Sequence, residues 1–403
     1  MNSAVLPERR PPETQTMDIA PPPHQADAPD PANPAAASSG SIQGPELSII
    51  VPTFNERANV GTLVARFELA LAGIDWEVIF VDDDSPDGTA AAVRELARAD
   101  RRVRCLQRIG RRGLSTACVE GMLASATPYV AVMDADLQHD ERILQQMLVL
   151  LRSGEADMVV GSRHIEGGSI GEFSISRARI SRIATKLARP VAGASVSDPM
   201  SGFFMMSAPL FEQSVRDLSA IGFKILLDLL TSVPPGTRVC EVPYSFGKRL
   251  AGDSKLDSRA AWDYVVLLLD KSVGRYIPTR FLVFSLIGAA GVVVHMSVLA
   301  ALFKTSTSSF LWSQACATLV AMTFNFALNN ILTYRDMRLT GLGWLRGWLT
   351  FVLACSVGAA ANVGIAGYLF EQNQYWALSA VAGIVVGAVW NYAVTSVYTW
   401  HAR

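Results

Sequence analysis

Residues 129–141 read YVAVMDADLQHDE, a short apolar run that ends abruptly in side chains carrying oxygen. Carboxylates are costly to place beside an apolar core unless a partner neutralises them. If the run is a strand, alternate side chains point the same way, so Asp134, Asp136 and Gln138 converge. Such oxygen ligands favour a hard divalent cation, Mg²⁺ or Mn²⁺. An acidic turn before the next helix explains the same residues, and both interpretations stay open; residues 139–141 are predicted to cap that helix and to lie outside any metal shell.

Strand-like and helix-like patterns alternate on both sides of this run. Buried-strand patterns occur at residues 47–54, 76–84, 103–108 and 157–163, with helical patterns between them. This order predicts βαβ units and a mainly parallel sheet covered by helices on both faces, which is an α/β fold. Polar residues gather where the strands end, and sheets of this type bind ligands at that edge.

Two more polar motifs follow the first two strands. VDDDSPDGT (residues 81–89) places acids at residues 82–84, where they could accept hydrogen bonds from a ribose or a base. The same motif contains a good turn sequence, and Asp87 could serve only that turn. VPTFNE (residues 51–56) follows the first strand and would lie beside these acids, although Phe54 could instead belong to the core.

Composition separates a charged front part of the chain from an apolar rear part. The 403 residues carry a formal net charge of −1, which gives no indication of a nucleic-acid partner. Residues 1–45 are rich in Pro, Ala, Ser and Asp, and we predict disorder because they contain too little apolar surface to offset chain entropy. The five cysteines are scattered without metal-type spacing and are predicted to be reduced.

The rear part contains four long apolar segments. Each is close to or longer than the roughly 20 residues that cross a bilayer, so we predict transmembrane helices rather than four buried helices of a soluble domain. Lys and Arg concentrate before the first segment, between the second and third, and at the C-terminus. This distribution predicts a protein of the cell membrane whose front domain and C-terminus face the cytoplasm. The predicted segments are residues 281–303, 310–334, 347–370 and 375–400.

The membrane part contains a weak internal repeat and follows an amphipathic stretch. NFALNNILTYRD (residues 325–336) resembles NYAVTSVYTWHA (residues 391–402), which suggests a duplicated pair of helical hairpins. Asparagines inside these segments are predicted to hydrogen-bond between helices, and a role in transport is the alternative. Residues 260–277 combine aromatic and basic side chains with an apolar helical pattern, which is typical of a helix at the membrane surface.

The edge motifs together resemble those of the family 2 glycosyltransferases. VPTFNE, VDDDSPDGT, DADLQHD, GSR and DPMSGFF occur in that family's order over residues 47–270. FGKRLAGDSKL (residues 246–256) is similar to the polyprenol- or dolichol-phosphate mannose synthase group, and the membrane part resembles the GtrA-type four-helix domain. The resemblance implies a GT-A fold, the nucleotide-diphospho-sugar transferase type, at residues 46–258. It further implies an interfacial helix at residues 259–279 and a GtrA-like domain at residues 280–403.

The resemblance also implies roles for individual residues, of which Asp134, Asp136 and Arg163 form the catalytic set. Those that would hold the nucleoside are Pro52, Phe54, Glu56, Val81 and Asp83. Those that would bind the metal are Asp134, Asp136 and Gln138, and Ala135 would contact the donor beside them. Those that would contact the donor phosphates or the sugar are Arg163, Arg249 and Lys255. Those that would receive the lipid phosphate are Arg177, Ser181 and Arg182.

The reaction implied by the resemblance is transfer of mannose from GDP-mannose to a polyprenyl phosphate of the dolichyl type. A divalent metal and arginines would stabilise the charge that grows on the nucleoside diphosphate leaving group. The acceptor is already an anion, so it needs cations that place it rather than a strong base, and one direct displacement inverts the sugar. Two alternatives stay open. One is a polyprenyl-phosphate glucose synthase that uses UDP-glucose, and the other is translocation or scaffolding of lipid-linked sugars by the GtrA-like part.

Overall fold

The computed structural model describes residues 44–169, 196–247, 258–274, 276–305, 310–372 and 376–400. Several predictions concern other residues. Outside the described residues lie nearly all of the N-terminal tail and the predicted ligand-binding residues Arg177, Ser181, Arg182, Arg249 and Lys255. The predicted disorder and the predicted roles of those residues therefore remain predictions.

A mainly parallel sheet forms the centre of the front domain, as the sequence predicted. Within the described residues it has seven strands in the order β3-β2-β1-β4-β6-β5-β7. β6 runs antiparallel to both of its neighbours, and every other pair is parallel. The strands are β1 (Leu47–Thr53), β2 (Trp76–Asp82), β3 (Val103–Gln107), β4 (Tyr129–Val132), β5 (Met158–Ser162), β6 (Phe204–Ser207) and β7 (Val239–Pro243).

Helices cover both faces of this sheet. Side chains of α1, α2 and α4 join the core on one face, and side chains of α3, α5 and α6 join the core on the other. The helices are α1 (Arg57–Ala70), α2 (Thr89–Ala99), α3 (Leu114–Leu123), α4 (Ile143–Arg152), α5 (Ala208–Ser214) and α6 (Ile225–Ser232). The structure therefore confirms the predicted alternation of strands and helices and the cover on both faces of the sheet.

Burial in the two central strands explains why the sequence pattern predicted them. β2 is buried at every position, and its neighbour β1 is buried at every position except Pro52. Ile49 and Val51 enter one core while Ile50 enters the other, which is the period of two expected for a strand covered on both faces. α3 approaches β1 so closely that a Cβ at Gly121 would overlap Cγ2 of Ile50, so this helix requires glycine there.

The helix α7 (Ser258–Val273) follows the sheet and precedes the membrane helices. Tyr264 and Leu267 of α7 pack against Met200 and Leu227 of the front domain. On its outer side Val265 is 44% exposed. The helix therefore has one face fixed to the front domain and an exposed apolar side chain on another, and it ends earlier than the predicted residue 277; its place at the membrane surface stays a prediction.

Four helices that are long and apolar enough to cross a membrane follow α7, in agreement with the sequence. The second of them ends in a π-helical turn, Asn329–Thr333, and a loop leads from there to the third. We refer to residues 334–340 as the α9–α10 loop. The helices are α8 (Thr279–Thr305), α9 (Phe310–Leu328), α10 (Gly341–Glu371) and α11 (Trp376–Tyr398).

Equivalent contacts occur in the hairpins α8–α9 and α10–α11. Asn325 on α9 lies against Gly291 on α8, where a Cβ would overlap the amide group. Asn391 on α11, at the equivalent place in the repeat, lies against Gly358 on α10 in the same way. The sequence repeat thus corresponds to a duplicated helix contact, in which small residues let the helices approach closely.

A cluster of aromatic rings joins the two hairpins. Tyr334 and Trp400, which are equivalent in the repeat, stack on each other with 4.1 Å between ring centroids. Phe326 and Phe351 contact the same Trp400 ring at 5.6 and 5.8 Å. The predicted hydrogen bonding of asparagines is seen at Asn330, whose Oδ1 accepts from Trp400 Nε1 at 3.1 Å.

Candidate active site

The carboxyl ends of β2, β1 and β4 lie side by side at one edge of the sheet. β1 pairs with β2 up to Thr53 and Asp82, and with β4 up to Ile50 and Val132, both in parallel. The VPTFNE, VDDDSPDGT and DADLQ motifs follow these three strands. They come from distant parts of the chain and emerge at the same edge, where parallel sheets bind ligands.

The VPTFNE motif places an aromatic ring and a carboxylate at this edge. Phe54 is partly exposed and lies outside both cores, and the Arg112 guanidinium lies 4.6 Å from the centroid of its ring. Glu56 accepts a hydrogen bond from Asn59 Nδ2 at 2.7 Å through Oε2. Pro52 is the partly exposed residue of β1. The structure therefore favours Phe54 as an edge residue over Phe54 as a core residue.

Asp83 is held by the protein through both carboxylate oxygens. Oδ1 accepts from Arg108 Nη1 at 2.9 Å, and Oδ2 accepts the backbone N–H of Gly113 at 2.7 Å. Burial raises the pKa of Asp83, and these two donors oppose the shift. The carboxylate thus fixes the chain after β3 against the end of β2, and a nucleoside would have to share its other lone pairs. No sequence pattern indicated these contacts of Asp83.

Three other predicted residues at this edge have structural roles. The side chains of Val81 and Ala135 belong to the two cores, so only their backbone atoms could contact a nucleotide. Asp87 does more than stabilise its own turn. Its Oδ2 accepts the backbone N–H of Arg57 at 3.2 Å, and its Oδ1 accepts that of Thr89 at 3.0 Å. Asp87 therefore joins the first residues of α1 and α2.

The DADLQ segment does not continue β4. The strand ends at Val132, and Leu137 has a φ of 62°, so the predicted extension of this strand is wrong. Alternation along a strand therefore cannot be the reason for any convergence of these side chains. Asp136 is 6% exposed, and its Oδ1 accepts the Gln138 backbone N–H at 3.2 Å. The side chain of Asp134 is 35% exposed and is the more accessible carboxylate.

Two glycines shape the surroundings of these carboxylates. Gln138 Nε2 donates to the Gly247 carbonyl at 2.9 Å, and the Gln138 carbonyl accepts the Gly247 N–H at 2.7 Å. Oε1 is then the side-chain atom of Gln138 that could serve as a metal ligand. Asp134 lies against Gly202, where a Cβ would be 2.8 Å from Oδ2. The glycine of DPMSGFF therefore leaves room for the Asp134 carboxylate.

His139 is a buried part of the site, so the prediction that it caps the next helix is wrong. That helix begins at Ile143, and its N-cap residue Arg142 makes no side-chain cap. The His139 ring is stacked on Phe203 with 5.1 Å between centroids. Nδ1 accepts the Asp134 N–H at 3.2 Å, and Nε2 lies 3.9 Å from Asp134 Oδ2. Burial lowers the pKa of His139 to about 4, so the ring is neutral and its proton is on Nε2.

Arg163 is oriented by a buried carboxylate. Its Nε and Nη2 donate to the two oxygens of Asp198 at 2.7 and 3.0 Å, and Asp198 is 0% exposed. The guanidinium also lies 5.3 Å from the ring centroid of Phe246. A bidentate pair fixes the plane of the guanidinium, so its other N–H groups have defined directions. Asp198 belongs to the DPMSGFF motif, but its partnership with Arg163 was not predicted.

Lys224 is a second cation of the site, and the sequence did not indicate it. Its Nζ donates to the Met200 carbonyl at 3.2 Å. Burial lowers the pKa of Lys224 to about 8; Arg163 acts in the same direction, while Asp134 and Asp198 oppose it. Lys224 and Arg163 therefore both bind the DPMSGFF segment, Lys224 at the Met200 carbonyl and Arg163 at the Asp198 carboxylate. Lys224 precedes α6 without any motif around it, so only the folded structure reveals its position.

Comparisons with known proteins assign a family to this arrangement. The model of "Glycosyl transferase family 2" matches residues 48–214, and that of the "GtrA/DPMS, transmembrane domain" matches residues 283–400. A dolichol-phosphate mannosyltransferase from Pyrococcus furiosus is 30% identical over 359 residues, which cover 88% of this chain and 99% of that protein. The chain belongs to the dolichol-phosphate mannosyltransferase family. Family membership confirms the GT-A-type fold and the GtrA-like membrane domain that the motifs implied.

Further similarities cover smaller shares of the chain. A dolichol-phosphate mannosyltransferase from Mycosarcoma maydis is 38% identical over 245 residues, which cover 59% of this chain and 82% of that protein. Among solved structures, glucosyl-3-phosphoglycerate synthase from Mycobacterium tuberculosis has 20% identity and a TM-score of 0.42, covering 57% of this chain and 80% of that one. A likeness of that size says nothing about the reaction of this chain.

The acidic residues of the site suit a metal ion that is also coordinated by a bound ligand. Among the described residues, no group of three His, Cys, Asp or Glu side chains could hold a metal ion by itself. The carboxylates of Asp134 and Asp136 carry oxygens of the type that Mg²⁺ prefers, and Mg²⁺ in enzymes commonly keeps water and substrate phosphate oxygens in its shell. The residues present therefore fit Mg²⁺ or Mn²⁺ completed by a diphosphate, and not a closed structural metal site.

Proposed function

We propose that this protein transfers mannose from GDP-mannose to a polyprenyl phosphate of the dolichyl type. The observation that carries the proposal is similarity over 88% of the chain to a dolichol-phosphate mannosyltransferase. The site supports it because acids and cations share one sheet edge, as transfer from a nucleoside diphosphate sugar requires. The membrane helices support it because the acceptor is a lipid.

The acids and cations of the site would act on the donor diphosphate. Asp134 and Asp136 would hold it through Mg²⁺ or Mn²⁺, which when bound offsets the negative charge that grows on the leaving group. Arg163 and Lys224 would add positive charge from the protein. Because Asp198 already fixes the Arg163 guanidinium, little reorganisation is needed during the reaction.

The nucleoside would lie at the ends of β1 and β2. The partly exposed ring of Phe54 offers an apolar surface for a base, with Pro52 beside it at the end of the strand. Glu56 and Asp83 would accept hydrogen bonds from the base or the ribose. The backbone of Val81 would complete this half of the site.

The acceptor phosphate would need placement rather than activation. It is an anion at neutral pH, and one of its oxygens can attack C1 of mannose directly as the bond from C1 to the diphosphate breaks. We propose Arg177, Ser181 and Arg182 as the residues that receive this phosphate, and Arg249 and Lys255 as further contacts of the donor. The direct displacement inverts the configuration at C1.

We place the front domain on the cytoplasmic side of the cell membrane. Arg335, which follows α9, pairs with Asp263 of α7 at 2.7 Å between Nη1 and Oδ1. The front domain therefore lies at the end of the membrane helices where Lys and Arg concentrate. The positive-inside rule assigns that end to the cytoplasm.

Transfer of labelled sugar in detergent tests the proposed reaction. The assay compares GDP-mannose with UDP-glucose, using one polyprenyl phosphate and Mg²⁺, Mn²⁺ or a chelator. We expect mannose transfer that the chelator abolishes, and a loss of about 100-fold or more in Asp136→Asn. Transfer from UDP-glucose alone would show that the donor is UDP-glucose and not GDP-mannose. Failure of the folded protein to transfer either sugar would refute the proposal and favour translocation by the GtrA-like domain.

A further inference from the structure

A buried ion pair connects α7 to the loop that carries Lys224. Asp228 of α6 is 0% exposed and lies 2.6 Å from Lys271 Nζ of α7. The same carboxylate accepts the backbone N–H groups of Ser219 and Ala220 at 3.1 and 2.7 Å. The first residues of the loop 219–224 are therefore fixed by the contact between α6 and α7, and Lys224 is its last residue.

Asp263 of α7 contacts this loop and also the membrane domain. A Cβ at Gly222 would lie 2.9 Å from Asp263 Cβ, so α7 packs directly on the loop backbone, where Gly222 has a φ of 73°. Asp263 Oδ1 accepts from Arg335 Nη1 of the α9–α10 loop at 2.7 Å. The side chain of Asp263 is 16% exposed and that of Arg335 is 50% exposed. One residue thus links the loop before α6 to the membrane helices.

The α9–α10 loop has a defined shape of its own. Asn330 Nδ2 donates to the Leu339 carbonyl at 3.0 Å, and Asn330 Oδ1 accepts the Leu339 N–H at 2.8 Å. Its partner in the sequence repeat is Ser396, whose hydroxyl donates within its own helix to Ala393 at 2.9 Å. The two hairpins share their helix contacts but differ here, at the point where the first hairpin meets α7.

We infer that the α9–α10 loop is a docking element through which the membrane domain positions Lys224, with Asp263 and Arg335 as the positioning residues. The role given to Lys224 rests on the proposed function. When Arg335 no longer holds Asp263, α7 keeps its packing and its Lys271–Asp228 pair, but Asp263 is held less firmly against Gly222 and that part of the loop 219–224 gains freedom. Lys224 then meets the donor diphosphate in a less defined position, so donor binding weakens while the reacting groups stay in place.

The test compares variants at both ends of this link with a matched control. Asp263→Asn and Arg335→Gln each remove one charge of the pair, and Arg335→Lys retains it. Arg280→Gln is the control, because it breaks the exposed Arg280–Asp336 pair of 2.7 Å within the same loop but leaves the Asp263–Arg335 pair in place. We expect the two charge-removing variants to raise KM for GDP-mannose about fivefold with kcat nearly unchanged, and the double variant to add nothing further.

Hydrogen exchange gives a readout that does not depend on the reaction. In Arg335→Gln the amides of residues 221–224 should exchange at least about fivefold faster than in the unmodified protein, while Arg280→Gln and Arg335→Lys leave them unchanged. Equal exchange in all variants, or a rise in KM that the control shares, would overturn the inference. A protein that transfers no mannose but shows the expected exchange would disprove the proposed function and leave the docking role standing.

Discussion

Lys224 should make donor use by this protein decline at mildly alkaline pH. Burial, assisted by Arg163, lowers the pKa of Lys224 to about 8. The lysine is then charged in about nine-tenths of the molecules at about pH 7 and in about one-tenth at about pH 9. Its charge is present below the pKa and lost above it. In the proposed role the charged form of Lys224 binds the diphosphate, so kcat/KM for GDP-mannose should fall about tenfold over this range.

Two substitutions isolate this effect. Lys224→Arg keeps its charge across the whole range, so its profile should stay flat where that of the unmodified protein falls. Lys224→Met has no charge at any pH, so its kcat/KM should be about tenfold or more lower at about pH 7 and should also lack the alkaline decline. The assay is initial rate against donor concentration, with saturating polyprenyl phosphate and a fixed excess of Mg²⁺.

One form of the pH profile would contradict the role given to Lys224. If Lys224→Arg and Lys224→Met both retained the decline above pH 8, another group would be responsible and the placement of Lys224 beside the donor would be wrong. Thermal unfolding followed across the same pH range is the control, because it separates a change in donor binding from loss of folded protein.

Three further predictions concern stability. Burial lowers the folded-state pKa of His139 from its ordinary value of 6.5 to about 4. As the pH falls through this range the unfolded chain binds a proton at His139 before the folded protein does, so about 3 kcal/mol of the free energy of unfolding is lost. Thermal unfolding of metal-free His139→Phe should therefore be less sensitive to acid over this window. Gly121→Ala should lower the free energy of unfolding by about 1–3 kcal/mol, because its Cβ overlaps Ile50, and a denaturant titration measures this. Gly291→Ala and Gly358→Ala should destabilise the membrane domain to similar extents in detergent unfolding, and a large difference would contradict the duplicated contact.

The fold could be predicted because the apolar patterns and lengths of its segments match those of strands and helices. WEVIFVD is buried at all its positions, which is what a central parallel strand requires, and the four apolar segments have the length of a bilayer. The end of β4 could not be predicted in this way. Leu137 adopts a left-handed conformation within a segment held by tertiary contacts, and an apolar run followed by acids does not show where such a strand stops.

The site could be predicted only where it follows the strand ends. The three edge motifs come together because parallel strands place their carboxyl ends at one edge. His139 looked like a capping residue because its neighbours in sequence are polar, yet its environment consists of Phe203 and other rings from elsewhere in the chain. Lys224 and Asp198 owe their roles to contacts with residues far away in sequence, which local patterns do not encode.

The antiparallel direction of β6 affects how the substrate preferences of such a protein can change. β5 ends at Ser162 and β6 begins at Phe204, and because β6 is antiparallel both points lie at the same edge of the sheet. The connection between them joins two points at one edge, so a change in its length does not require a change in the pairing of β5 with β6. The residues proposed for the lipid phosphate lie in sequence between β5 and β6, whereas those proposed for the nucleoside follow β1 and β2. Contacts with the acceptor phosphate and contacts with the nucleoside can therefore change independently.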